Sequence, residues 1–214
     1  EDRSSNGCEF FFQQPRFAPR PPQSCHAAFV VNTSNQPVEL GLEYAGRKLD
    51  ISNAVYQTSS GSADLRKLEG PLPPGESAIL FVSDRDPEKH TDPASKIQYI
   101  ACPHGVTPAV SEDIDQYGAT LGRAFRLTSN VPVSVTSMYP YGGAASYVPT
   151  ASLVLPVSAW AKEHIVVNGW DGTLVPPIAQ VYAAEDDTEV TVTGSVTIAD
   201  GSGYRGAPAG ESFT

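Results

Sequence analysis

The chain has few of the residues that a helical, membrane-spanning or nucleic-acid-binding protein would need. Its 214 residues include one methionine, and 14 lysines and arginines stand against 24 aspartates and glutamates, which gives a net charge of −10. Neutralising phosphates requires clustered basic side chains, so the sequence argues against a nucleic-acid partner. No run of about 18 apolar residues occurs, and no segment is therefore predicted to span a membrane.

Cysteine is also scarce, with Cys8, Cys25 and Cys102 at no metal-binding spacing. This usage predicts an exported protein with one disulfide and one remaining thiol. We expect the disulfide to join Cys25 to Cys102, because both residues lie at the ends of predicted strands, with Cys8 free or paired outside the chain. The alternative is three reduced cysteines packed in the core of a cytosolic protein.

Turn residues, in contrast, are abundant. There are 19 prolines and 18 glycines, and β-branched and aromatic residues form short runs between them, without a sustained helical period. The predicted fold class is therefore all-β, with mostly antiparallel strands. The predicted strands span residues 26–32, 37–44, 47–51, 77–83, 96–102, 123–129, 131–139, 152–158, 163–169, 177–185 and 188–198.

Two phrases recur along the chain. A strand, polar turn and strand at residues 28–40 return at 124–135 and, more weakly, at 181–192, and Pro73–Ser77 is echoed by Pro208–Ser212. Repeats of this kind predict two tandem β-sandwich-like units. The predicted domains are an N-terminal edge strand and Pro-rich arm at 1–24, a first unit at 25–147, and a second unit at 148–214. The second unit lacks counterparts of residues 96–139, so we expect it to continue beyond Thr214 and to present an open sheet edge.

No short motif of a known catalytic type is present, whether a nucleophile elbow, a zinc-protease helix, a phosphate-binding loop or a Cys-x-x-Cys pair. Of the four histidines only His90 has a carboxylate at helical spacing, Asp86, and a triad assembled from distant strands stays open. The sequence therefore predicts a protein that is not an enzyme.

One acidic loop is the single candidate for a bound ion. Its carboxylates alternate along the chain in a way that calcium can use, but the EF-hand pattern is not met, and Pro87 and Pro93 indicate an exposed loop whose charges are solvated. Calcium is thus a weak expectation, and no other cofactor is predicted. The candidate ligands are Asp84, Asp86, Glu88 and Asp92.

Aromatic residues near glycines are the candidates for contact with a partner. Rings on loops offer a large contact area at a small entropic cost. The alternative is that half of them pack in the core or between the two units. The candidate partner-binding aromatics are Tyr139, Tyr141, Tyr147 and Trp170.

Several stretches of the chain, in order and at plausible spacing, resemble the bacterial (myxobacterial-type) branch of the IgG Fc-binding protein N-terminal domain family. The resemblance implies a secreted or surface-anchored β-rich module and brings no catalytic motif with it. The family's domain is longer than this chain. The stretches are 7–11, 25–33, 101–110, 137–143, 151–156, 164–168 and 183–192.

Two functions from different classes follow. The first is a non-enzymatic, extracellular structural or adhesive module of a cell-surface or filamentous assembly, able to assemble by strand addition. The second is a soluble lectin-like module that binds a glycan or a protein. Both place the protein outside the cell, as a secreted or cell-surface molecule with a protein or glycan partner.

Overall fold

The computed structural model describes residues 4–15, 23–58, 64–86, 100–114, 120–143, 149–167 and 179–214. Within them the chain is all-β, as predicted, and its helical element is a 3₁₀ turn at Val157–Ala159. The strands are β1 Gly7–Phe12, β2 His26–Val31, β3 Leu40–Tyr44, β4 Arg47–Leu49, β5 Val55–Thr58, β6 Leu65–Lys67, β7 Ser77–Asp84, β8 Val110–Ser111, β9 Phe125–Tyr139, β10 Thr150–Val154, β11 Val192–Thr193 and β12 Ser212–Phe213.

Ten strands form one sheet in the order β4-β3-β9-β2-β7-β5-β6, with β1 and β10 also paired to β9, and β8 paired to β7. The pairing of β7 with β8 is parallel, and the other nine strand pairs are antiparallel. The remaining strands, β11 and β12, form a separate pair. This architecture confirms the predicted fold class, whereas the division into two tandem sandwich units stays a prediction.

β9 is the strand that organises the sheet. It runs without interruption for 15 residues, where the sequence predicts two strands with a polar turn between them. Its first half pairs with β1 and β3, and its second half pairs with β2 and β10. The predicted hairpin at 124–135 is therefore wrong. Alternate residues face the core along both halves, the fully buried ones being Phe125, Leu127, Val133 and Val135.

The chain does not turn at Asn130 because this side chain is bonded to a distant segment instead. Its Nδ2 donates to the Pro37 carbonyl at 3.2 Å, and its Oδ1 accepts the Glu39 amide at 2.8 Å. An asparagine that would favour a tight turn on its own is thereby used as a cross-link between two segments. The other predicted hairpins also differ: β2 and β3 each pair with β9 rather than with one another, and residues 181–191 hold turns and irregular backbone.

One core lies between the two halves of the sheet. Buried apolar side chains from β1, β2, β3, β7 and β9 form a single cluster, so the half that carries β1 and β3 packs against the half that carries β2 and β7. A smaller cluster, which includes Tyr56, Ile79 and Phe81, covers the outer face of the second half. The largest fully buried members of the main cluster are Phe10, Phe125, Leu42, Leu72, Leu80 and Leu127.

Other predicted elements also changed. β5 and β6 lie between residues 51 and 77, where the sequence predicts no strand. They are held in place because β5 pairs with both β6 and β7. Residues 163–167 and 179–185 lack the strands that were predicted there. β10, which the sequence assigns to the second unit, joins β9 of the first.

The recurrent Pro-x-Gly-Glu-Ser phrase, at Pro73–Ser77 and Pro208–Ser212, has the same structure at both positions. Gly75 and Gly210 have φ angles of 74° and 81°, a region that favours glycine, and each is followed by a strand that begins at the serine. Ser77 pairs with Val31, and Ser212 pairs with Thr193. The partner of the second phrase is therefore β11, and not residues 181–184 as the sequence comparison indicates.

Candidate partner-binding surface

The C-terminal third of the chain keeps its apolar side chains at the surface. Nine large hydrophobic residues are exposed among the described residues, and eight of them lie between residues 150 and 214. The first half of the chain, in contrast, buries its apolar residues in the two clusters. Exposed apolar residues are thus concentrated in one stretch of the sequence, which makes this stretch the candidate for contact with a partner. The eight are Leu153, Leu155, Ile165, Val166, Val167, Val181, Val190 and Val196.

β10 carries the first part of this surface because of the two-residue period of a strand. Val154 packs against the main core, whereas Leu153 is 54% exposed on the opposite face and Leu155 follows it outward. β10 lies at the border of the sheet, and among the described residues its ladder partner is β9 alone. In the described part of the chain no strand pairs with its other side.

The chain that leaves β10 is fastened to β1. Pro156 is buried against Gly7, where a Cβ atom would come within 2.3 Å of the proline ring. The Trp160 ring packs on Phe11 with centroids 6.0 Å apart, and its Nε1 donates to the Leu155 carbonyl at 3.1 Å. These contacts hold residues 155–160 in place and leave Leu155 turned toward solvent.

Ile165, Val166 and Val167 form the most exposed part of the surface. Ile165 is 94% exposed and Val167 81% exposed, on backbone without regular secondary structure. The sequence places them in a strand at 163–169. Three consecutive apolar residues cannot all face one side of a strand, so the run is typical of a strand buried on both faces, and the sequence carries no signal of its exposure. We name Leu153, Leu155 and residues 165–167 the apolar strip.

The two aromatic candidates that the structure describes pack against other side chains of the fold. Tyr139 is 4% exposed, and its hydroxyl oxygen accepts the Ser24 amide at 3.0 Å, so the ring belongs to the interior. Tyr141 packs edge-on against Phe81 with centroids 5.0 Å apart, and partial burial raises the pKa of its hydroxyl. Positions 147 and 170, the other two candidates, lie outside the described residues.

The acidic loop holds the fold together where it is described. One carboxylate oxygen of Asp84 accepts the Arg85 amide at 2.8 Å, and the other accepts the Cys102 amide at 2.9 Å. Asp86 donates its amide to Asp113 at 2.9 Å. No group of three or more metal-binding side chains occurs in the described part of the chain. The remaining candidates, Glu88 and Asp92, lie outside it.

Cys25 and Cys102 are joined in a disulfide, the pairing given above, across 77 positions of sequence. The bond fixes the loop that begins at residue 100 to the start of β2, where the Cys25 amide also donates to the Ile100 carbonyl at 2.8 Å. Cys8 is an exposed free thiol on β1. The disulfide thus lies on the outer face of the sheet, beside the smaller apolar cluster.

The pair of side chains closest to a catalytic arrangement is buried. His26 Nε2 lies 2.9 Å from the Ser137 hydroxyl oxygen, with the histidine fully buried and the serine 8% exposed. The rings of Phe12, Phe125 and Tyr139 surround the imidazole, and burial lowers the pKa of His26 to about 3. A substrate would have to enter the core to reach these atoms, so the pair supports the fold rather than chemistry.

Together these features define a disulfide-containing all-β module with its apolar surface concentrated after residue 150. The family model described as IgGFc binding protein matches residues 150–214, which begin at the first residue of β10. The chain is thus similar to that family over the region that carries the apolar strip. No curated protein and no solved structure matches the chain. Among the described residues no helix is both long and apolar enough to cross a membrane.

Proposed function

We propose that this chain is a non-enzymatic, extracellular protein-binding module of structural or adhesive type, and that it binds through residues 150–214. One observation carries the proposal: the region similar to a protein-binding family is also the region that leaves its apolar side chains at the surface. The sandwich before residue 150 acts as the rigid support that positions this surface.

A location outside the cell is supported by the disulfide between Cys25 and Cys102. Disulfides of this kind persist in oxidising compartments and are rare in the cytosol. The match to a family described by antibody binding is consistent with the same location. A cell-surface position in a larger assembly is the form of the proposal that we favour.

The chemistry of the surface favours a protein over a glycan. The apolar strip is aliphatic, and aliphatic surface of this kind is buried against other proteins. Sugar rings instead stack on exposed aromatic faces, and of the described aromatic candidates Tyr139 is interior and Tyr141 packs on Phe81. The border strand β10 adds a second mode of attachment, because a partner strand can extend the sheet there.

The test compares a protein panel with a glycan array, using the isolated chain in both. The Fc fragment of IgG is the first protein probe, since the matched family is described by that activity. We expect saturable binding to a protein that falls about tenfold or more in the double variant Ile165→Asp with Val167→Asp. Leu121→Asp is the control for a change outside the apolar strip, because Leu121 is an exposed hydrophobic residue that lies against Gly203.

Binding to glycans without binding to proteins would contradict the proposal and support the lectin-like alternative. Protein binding that is reduced equally by Leu121→Asp would also contradict it, since the effect would then not belong to the apolar strip.

A further inference from the structure

The loop that follows β2 contains the only Asn-x-Ser/Thr sequence among the 214 residues, at Asn32-Thr33-Ser34. In a compartment that holds an oligosaccharyltransferase, the side-chain nitrogen of such an asparagine accepts an oligosaccharide, and the motif is therefore expected in a surface loop. Thr33 and residues 35–37 are exposed, in agreement with that expectation. Asn32 itself is 0% exposed. The acceptor nitrogen thus lies inside the protein although its neighbours lie on the surface.

Both hydrogens of the Asn32 amide are in use. Nδ2 donates to the carbonyls of Gln36, Leu72 and Pro73 at 2.8, 3.1 and 3.0 Å. Oδ1 accepts the amide of Ser34 at 2.9 Å and its hydroxyl at 2.7 Å. A glycan replaces one of the two amide hydrogens, so it would leave buried carbonyl oxygens without their donor.

The segment that closes over Asn32 is part of the core. The backbone amide of Asn32 donates to the Glu76 carbonyl at 2.9 Å, and its carbonyl accepts the Gly75 amide at 3.0 Å. Leu72 is 1% exposed and belongs to the main cluster. A sugar on Nδ2 would have to occupy the position of residues 72–73, and moving them would take Leu72 out of the core. The folded state and the modified state are therefore mutually exclusive.

The residues that bury Asn32 are synthesised after it. Leu72 and Pro73 lie 40 and 41 positions further along the chain. Synthesis adds about 5–20 residues per second, so about 2–8 s pass before these residues exist. β9, which pairs with β2 on its other side, ends at Tyr139 and is completed later still. During this interval Asn32 lies on an unfolded segment that a transferase can reach.

We propose that Asn32 is a site of N-linked glycosylation on the unfolded chain alone, and that the modification blocks the fold. The substrate is a lipid-linked oligosaccharide: Nδ2 forms a bond with the anomeric carbon of its first sugar, the lipid pyrophosphate leaves, and one amide hydrogen is released as a proton. The chain consequently folds intact only on an export route where no oligosaccharide reaches this sequence before residues 72–76 close over it. The inference goes beyond the proposed binding function and holds for any partner.

The first experiment compares two substrates for a purified oligosaccharyltransferase and a lipid-linked oligosaccharide. They are the folded natural chain and a synthetic peptide of residues 28–38. We expect the peptide to be modified at Asn32 and the folded chain to react at least a hundredfold more slowly, because a group beside a central strand is exposed only by rare opening of the fold. Equal rates would overturn the inference. A peptide that is not modified would overturn it as well, since the unfolded sequence would then not be a substrate.

The second experiment follows the chain through a secretory pathway that attaches N-glycans, with Pro37→Thr as the matched control. This substitution creates a second acceptor sequence at Asn35, on the exposed part of the same loop, and it keeps the carbonyl that accepts from Asn130. Peptide mass spectrometry should find the Asn35 glycan on secreted Pro37→Thr chain. In the natural chain, glycan at Asn32 should be at least tenfold more frequent in the retained pool than in the secreted pool.

Three outcomes of the second experiment would contradict the inference. Secreted chain that carries both the Cys25–Cys102 disulfide and a glycan at Asn32 would show that fold and modification coexist. Retained chain without a glycan at Asn32 would show that the unfolded sequence is not modified. Secreted Pro37→Thr chain without a glycan at either asparagine would show that burial does not distinguish Asn32 from Asn35.

Discussion

His26 is a buried neutral imidazole whose state links stability to pH. Its pKa is lowered from 6.5 to about 3 by burial, so between these values the unfolded chain binds a proton that the folded chain does not. Stability contributed by the neutral form is fully present above pH 6.5 and is lost as the pH falls toward 3. We expect a loss of about 2 kcal/mol in unfolding free energy from this group at pH 5.

The measurement is urea unfolding at pH 7 and pH 5 for the natural chain and for His26→Gln. The glutamine retains a polar group near Ser137 but does not titrate, and the carboxylates contribute equally in both proteins. The variant should therefore lose less stability between the two pH values. Equal losses in the two proteins would show that His26 is not the source of the pH dependence.

Asn32 is a second buried polar residue, and it connects the end of β2 to the segment that precedes β7. Its Nδ2 donates to the carbonyls of Gln36, Leu72 and Pro73 at 2.8 to 3.1 Å, and its Oδ1 accepts from Ser34. Asn32→Asp would place a carboxylate against three carbonyl oxygens, at a cost of about 3 kcal/mol in unfolding free energy.

Asn130→Asp is the matched control in the same urea titration. Asn130 also bonds to backbone groups through its amide, but it is exposed to solvent. Its replacement should cost less than about 1 kcal/mol. If the two variants lost equal stability, burial of the Asn32 amide would not be the source of its effect.

At the scale of the elements, the two Pro-x-Gly-Glu-Ser turns, before β7 and before β12, allow the same substitution in two contexts. Gly75 and Gly210 have positive φ, and no atom outside their neighbours lies within 4 Å of a Cβ built on either. Alanine would therefore cost about 1 kcal/mol through backbone strain alone. We expect Gly75→Ala to lower the global unfolding free energy by this amount, since β2 and β7 are central to the sheet.

Gly210→Ala should instead leave the global transition unchanged and raise amide exchange locally at Thr193 and Ser212. Ala209→Ser, at the exposed neighbouring position, is the control for both measurements. A global loss for Gly210→Ala equal to that of Gly75→Ala would mean that the β11 and β12 pair folds as one unit with the sheet.

The elements also show what could be predicted from the sequence. β2 and β7 follow from apolar runs between turn residues, and the turn at Ala45 and Gly46 that leads into β4 is present with φ angles of 54° and 74°. β9 could not be predicted as one strand, because Asn130 is held straight by bonds to Pro37 and Glu39, more than 90 positions away. Such non-local contacts override the local preference for a turn.

The candidate site was predictable to a smaller extent. The pattern of residues 152–158 indicates a strand, and β10 is present over its first three residues, but whether Leu153 and the following Leu155 are covered depends on neighbours that the pattern does not specify. The repeat of the Pro-x-Gly-Glu-Ser phrase predicted a second copy of a structural unit. The equivalence of β11 with β2 emerged from the register of hydrogen bonds, and the sequence similarity had suggested residues 181–184 instead.

For the whole molecule, apolar surface is distributed unevenly along the chain. Among the described residues before β10, Leu121 is the one exposed large hydrophobic residue, whereas residues 150–214 leave eight exposed. Burial of such side chains contributes about 1.5–3 kcal/mol each, so covering them would stabilise the C-terminal region. This difference is the physical basis of the proposed binding function.

The most direct test of this account is amide exchange at single-residue resolution on the isolated chain at neutral pH. We expect the amides of β2, β7 and β9 to exchange by global unfolding, and those of β11 and β12 to exchange at least a thousandfold faster, since about 4 kcal/mol separates a central strand from an uncovered pair. Equal protection of the two groups, lost together in one cooperative transition, would show that residues 150–214 are already covered and would contradict the account.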